Sequence, residues 1–259
     1  MTAPRSPLAF FLLTFALSVP FWLLGAWIPT PEGALIGLPL SALQLVCPFL
    51  AAVILVYRAG GGADVRRLLA HAVSPRGIAP VWYLPILLLM PAIYLLAYGI
   101  QRLLGRPLPG LQFPLGTLLA LFVVLIIAAL AEEIGWMGYA TDPLQARWGA
   151  LGAAIILGLV WAAFHLVADL QGGHSLGWIA WHRSGAVALR VLIAWAYNNT
   201  ERSVLAAALL HTSDNVGWQL MEINGGLYDP MITTPLTVAT AATVTLLWGP
   251  ATLARFRRM

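Results

Sequence analysis

The chain has 259 residues, 60% of them hydrophobic and 9% charged, with a net charge of +4 and a mean hydropathy of +0.84. A soluble domain carries about 25% charged residues, so this composition excludes a soluble globular protein and points to one that takes lipid as its solvent. It leaves no room for a sizeable soluble domain, and no nucleic-acid partner is expected. The single Cys47 excludes an intrachain disulfide; beside Pro48 in an apolar stretch, it reads as a buried, inert thiol. All the basic residues are Arg, a composition typical of a GC-rich bacterial genome.

Crossing the hydrocarbon takes about 20 mostly apolar residues. Stretches of that kind run over 8–28, 36–57, 81–104, 115–140, 149–168, 176–198, 202–222 and 232–254. They predict an all-α polytopic bundle of about eight spans in a single membrane domain, 1–259. The first reads as a span and not a cleavable signal, because it is long and lacks an Ala-x-Ala-like exit. Pro85 and Pro91 should kink the third, as membrane helices tolerate. The sixth is interrupted by His182, Arg183 and Arg190; it either runs whole or starts later, with 172–183 lying along the interface.

Arginines orient the spans. With the N-terminus inside, the inner segments hold Arg5, Arg58, Arg66, Arg67, Arg76, Arg147, Arg202, Arg255, Arg257 and Arg258, and the outer loops hold Arg102 and Arg106. The loop at Pro29 to Glu32 has no basic residue. Both termini are therefore expected in the cytoplasm, in a bacterial cytoplasmic membrane. Asp64 to Leu69 forms either a basic amphipathic turn on the inner leaflet or a plain positive loop.

Polar residues inside the spans are few, and each is expensive in lipid. Glu132 and Glu133 end the apolar run that starts at Leu115. Helix neighbours differ by about 100°, so one carboxylate faces a cavity and the other a neighbouring helix, unless both are solvated at a helix end. Trp161 and His165 share a face, being four apart. Asp169, four further on, either holds the imidazole or caps the loop. His211 and Asn215 share a face of the seventh span, with Thr212, Ser213 and Asp214 between them. His174, His182, Glu222 and Asp229 read as outer-loop residues and His71 as an interfacial one. Arg183 and Arg190, two turns apart, either line a cavity or snorkel to opposite interfaces.

Two Glu, two His and one Asn on three helices suit hydrolysis. A carboxylate and an imidazole can take a proton from water, and a His/Asn pair can donate to an oxyanion. Alternatively, Glu132, His165 and His211 could hold a divalent metal, zinc being the natural ion, with one position open for water.

The order E-E-x-x-x-R, then [FW]-x-x-x-H, then H-x-x-x-N resembles the CPBP family of type II CAAX prenyl proteases and bacterial Abi, or bacteriocin-self-immunity, proteins. Glu132-Glu133-Ile134-Gly135-Trp136-x-Gly138-Tyr139, Gly158-Leu159-Val160-Trp161-x-x-x-His165 and His211-x-x-x-Asn215 carry the resemblance, over approximately 115–220. It implies an intramembrane endopeptidase acting on a peptide or membrane-protein substrate. Glu132 would activate water with His165 as its partner, Glu133 would support them, and His211 with Asn215 would stabilise the oxyanion. It also implies a cavity that opens to the cytoplasm.

The chain departs from the pattern at Met137, where the family has Arg. Without that i,i+4 partner, Glu133 must be protonated or take a substitute cation, and Arg190 is the one placed to serve. The departure implies a weakened enzyme, and Met137→Arg should then raise activity. It equally admits a degenerate binding or scaffold protein. A proton-coupled transporter is the remaining alternative, although no inverted repeat is visible.

Overall fold

The computed structural model describes residues 5–28 and 37–254. The Pro29–Glu32 loop and Arg255, Arg257 and Arg258, on which the orientation expectation partly rests, lie outside the described residues. Among the described residues eight α-helices follow one another: α1 Pro7–Trp27, α2 Cys47–Ala72, α3 Tyr83–Leu103, α4 Leu115–Gly135, α5 Asp142–Gln171, α6 Leu176–Asn199, α7 Val204–Ile223 and α8 Pro230–Trp248.

Their starts are chemically marked. Ser6, Ser175, Ser203 and Asp229 accept hydrogen bonds from backbone N–H groups of the first turns of α1, α6, α7 and α8, and proline opens α1 and α8. Such caps satisfy donors that would otherwise be orphaned.

Two expected spans are reshaped, the second and the fourth. The second begins with a 3₁₀ turn, Leu40–Val46, before α2, and α2 breaks at Gly61, where φ is 70° and ψ −169°. Only glycine adopts that conformation cheaply. The chain beyond it carries the basic Asp64–Leu69 turn, with an Arg67–Asp64 ion pair, and brings Leu68 over Gly138. The fourth span leaves α geometry at Gly135 and continues as a π-helical turn, Trp136–Thr141. The sixth runs whole as α6, so the reading in which it starts later is overturned.

Four of the helices, α1, α2, α3 and α8, and the continuous run Leu115–Gln171 through α4 and α5, are apolar and long enough to cross a membrane. Helices α6 and α7 are less apolar because they are solvated by protein. Residues 188–197 of α6 are buried without a break, as are 206–208 and 210–213 of α7. Polar side chains are tolerated where other helices, not lipid, surround them.

The alternating helices give the bundle two ends. At one, Arg5 Nη1 donates to Gly138 O at 2.7 Å, His71 Nε2 meets Arg202 O at 3.1 Å, and Ala150 N donates to Ala251 O at 2.9 Å. At the other, Gln171 Nε2 donates to Trp22 O at 2.9 Å, Gln101 Nε2 to Leu227 O at 3.0 Å, and Gln112 N to Asn224 Oδ1 at 2.7 Å.

The core below the site is aromatic. Trp136, fully buried, meets Phe10 and Phe164 edge to face, with centroids 5.2 and 5.5 Å apart. Gly135 lets α2 and α4 approach: a Cβ there would lie 2.5 Å from Pro48 O and 2.8 Å from Phe10 Cζ. Gly135→Ala is therefore expected to destabilise by about 1–3 kcal/mol, the usual range for overpacking. Thermal unfolding in detergent checks it; an unchanged Tm would show that the two helices are not in contact there.

Candidate active site

The end of α4 delivers both carboxylates, and their divergence is what helix geometry requires. Glu132 points into a cavity between the helices, with its side chain 7% exposed. Its Oε2 accepts the indole N–H of Trp161 at 2.7 Å and, more weakly, that of Trp136 at 3.3 Å. Oε1 has no protein hydrogen bond among the described residues, which leaves it for water.

Glu133 points the other way and is fully buried. Arg190 Nη1, from α6, lies 2.7 Å from both of its oxygens, and His211 Nδ1, from α7, lies 2.8 Å from Oε1. Arg190 is thus the substitute cation. Its guanidinium also lies over the Trp161 ring, 4.1 Å from the centroid, where the ring quadrupole attracts it. Met137 is buried in the π-helical turn, with the Thr141 hydroxyl 3.1 Å from its sulfur.

His165 sits one turn beyond Trp161 on α5. Its Nδ1 lies 2.8 Å from Trp161 O, and a carbonyl can only accept, so Nδ1 carries the proton. The free Nε2 lies 3.9 Å from Glu132 Oε2, too far for a direct hydrogen bond and suited to one through water. The same argument at His211 puts a proton on Nδ1, toward Glu133, and leaves Nε2 as its outward nitrogen.

Glu132, His165, His211 and Asn215 all line one cavity of about 560 Å³. Counting along straight helices sets Glu132 and His165 at different depths; the cavity spans that offset. Asn215 is half-buried and its amide has no protein partner among the described residues. Asp214 accepts from the Tyr94 hydroxyl at 2.9 Å.

Of the peripheral residues, His174 and Asp229 lie in turns as read from the sequence, whereas Asp169, His182 and Glu222 differ from their sequence readings. Asp169 neither holds His165 nor caps a loop; it forms a two-point ion pair with Arg183, and both line the cavity. Neither Arg183 nor Arg190 snorkels. His182 lies in α6, with Nδ1 2.6 Å from the Tyr228 hydroxyl, and His174 stacks on Trp178 at 3.7 Å. Partial burial, with Arg183 adding to it against the pull of Asp169, lowers the His174 imidazole below its ordinary range. Glu222 lines the cavity from the last turn of α7, and Asp229 caps α8 and pairs with Arg106.

Among the described residues, no three His, Cys, Asp or Glu side chains are placed together to hold a metal ion. The Glu132, His165 and His211 set is not gathered closely enough to hold zinc as it stands, although Glu132 Oε1 and the Nε2 atoms of His165 and His211 are not taken by protein hydrogen bonds among the described residues.

The sequence reading missed the indole clamp on Glu132, although Trp161 and Trp136 stood in the motifs. A buried indole N–H needs an acceptor, and in an apolar span a carboxylate is the obvious one.

Comparison with known proteins finds similarity over the same stretch of the chain. The chain is 25% identical over 237 residues to the CAAX prenyl protease 2 of Methanococcus maripaludis, covering 84% of this chain and 86% of that one. Residues 114–217 match the family model described as type II CAAX prenyl endopeptidase, Rce1-like. That stretch contains Glu132, Glu133, Trp161, His165, Arg190, His211 and Asn215. The segment that builds the site is thus similar to the Rce1-like type II CAAX prenyl endopeptidases.

Proposed function

We propose that the chain is an intramembrane endopeptidase whose Glu132 activates water for attack on a peptide carbonyl. The observation that carries this is the clamped Glu132, with one oxygen free, facing His165 Nε2 in a cavity also lined by Asn215. Water between Glu132 and His165 gives up a proton to the carboxylate as its oxygen bonds to the carbonyl carbon. The oxyanion that forms is met by the Asn215 amide, which is placed to donate to it, and by His211 when its cavity-facing Nε2 also carries a proton. As the C–N bond breaks, the proton passes to the leaving amine through His165, closing the balance at one water per bond.

Pairing of Glu133 by Arg190 supports a fully poised site in spite of Met137, because the missing guanidinium is replaced from α6. The arginine-rich end of the bundle belongs at the cytoplasmic face of a bacterial membrane, which sets both termini inside.

The test is a peptide-library cleavage assay on purified protein in detergent, with Glu132→Ala alongside and a chelator in a parallel series. Wild type is expected to cut, Glu132→Ala not to, and chelation to change nothing. Cleavage by Glu132→Ala would overturn the assignment. Loss on chelation with recovery on adding zinc would overturn the metal-free chemistry.

A further inference from the structure

The cavity and the arginines lie at opposite ends of the bundle. The cavity reaches the surface through Gly37, Leu38 and Pro39, the α5–α6 turn at Gly172 and His174, and the α7–α8 turn at Tyr228. These segments share an end with Arg102 and Arg106, as the Arg106–Asp229 ion pair and the Gln101–Leu227 bond fix. The described residues nearest the termini, Arg5 and Ala254, belong to the other end, with Gly138 and Ala150. The segments of that end carry Arg5, Arg58, Arg66, Arg67, Arg76, Arg147 and Arg202, and three more arginines follow in sequence. Arg183 and Arg190 are neutralised inside the bundle and have no say in orientation.

Cytoplasmic termini and a cytoplasmic opening therefore exclude each other. The charge asymmetry favours the first, since short loops rich in Arg stay on the cytoplasmic side. We infer that the site opens to the extracytoplasmic face, and that its substrate is the extracytoplasmic juxtamembrane segment of a membrane protein. This rests on the peptidase reading for the word substrate, and on geometry and charge alone for the opening.

The cavity suits that substrate. His165 stands six residues before the end of α5, about 9 Å of helix rise, and Glu132 stands 17 residues from the start of α4, about 26 Å, so a segment entering from this end must extend well into the cavity to reach the carboxylate. Leu43, Val124, Leu125 and Leu189 give the wall an apolar surface for its side chains, and the Asp169–Arg183 pair offers polar groups to its backbone.

Cysteine labelling reads the opening without reference to activity. In a Cys47→Ser background, Gly110→Cys marks the cavity end and Ala79→Cys the arginine-rich end. In intact cells an impermeant maleimide should label Gly110→Cys, and Ala79→Cys only after permeabilisation; the reverse pattern overturns the inference. Two single-span reporters then carry a peptide cut by the purified enzyme, one on each side of the membrane. The extracytoplasmic reporter should be cleaved by wild type and spared by Glu132→Ala. Expected labelling with cleavage of only the cytoplasmic reporter overturns the substrate assignment. Expected labelling with no peptide cut by the purified protein leaves the opening standing and sinks the peptidase reading.

Discussion

Arg190→Met should unfold the centre of the bundle more readily than any surface change and silence the site with it. Glu133 is fully buried, and both of its oxygens face Arg190 Nη1. Removing one partner of a buried ion pair leaves an uncompensated charge and costs about 3–5 kcal/mol. His211 alone would then hold the carboxylate. Arg190 also lies over Trp161, whose N–H clamps Glu132, so the same change loosens the cavity-facing carboxylate. The measurements are Tm in detergent and peptide turnover. A variant as stable as wild type would show that the pair carries no structural weight.

Met137 supplies the control. Glu133 is already matched, so Met137→Arg by itself adds a second buried cation at a site 1% exposed. It is expected to lower stability and leave activity no higher, the reverse of what the missing motif arginine implied. Combined with Arg190→Met it moves the guanidinium from α6 to the turn after Glu133, and part of the lost Tm should return.

Glu132→Gln is expected to lower kcat by about 10²–10⁴-fold, the usual contribution of a positioned general base. The amide oxygen of Gln can still accept from Trp161 and Trp136, so the clamp and Tm should persist. The amide cannot take a proton from water, so the loss belongs in kcat and not in KM. Near-normal turnover would move the base elsewhere, with His165 next in line.

What could be read in the sequence was whatever lipid makes expensive. Glu132, His165, His211 and Asn215 stand out because few residues around them are polar, and the structure gathers all four round one cavity. Arg190 could be named as the partner of Glu133 because so few intramembrane cations were available. The residues hidden in plain sight were aromatic. Trp161, Trp136, Tyr94 and Tyr228 look like ordinary apolar filling, and only coordinates reveal their N–H and O–H groups facing Glu132, Asp214 and His182. Helix α6 was the hardest to delimit for a related reason: being wrapped in protein, it carries the charges that span-finding by hydropathy treats as a stop. The end at which the cavity opens was not legible at all, since it depends on which helix faces meet and not on where the spans begin.

The π-helical turn Trp136–Thr141 has a consequence for how the chain can change over generations. A π turn holds one residue more than an α turn would, so this part of the protein behaves as though it contains an insertion that has been kept. Deleting a single residue there would let the ladder relax to regular α geometry. Everything downstream would rotate by about 100° relative to α4, carrying Tyr139 away from Arg5 and Thr141 away from Met137. Trp161 would lose its phase with Glu132. Substitution at Met137 is thus a change of chemistry that the bundle can answer from α6, whereas a change of length at the same place is one it cannot. Lineages that retain the site should vary in residue type at Met137 before they vary in the number of residues along this turn.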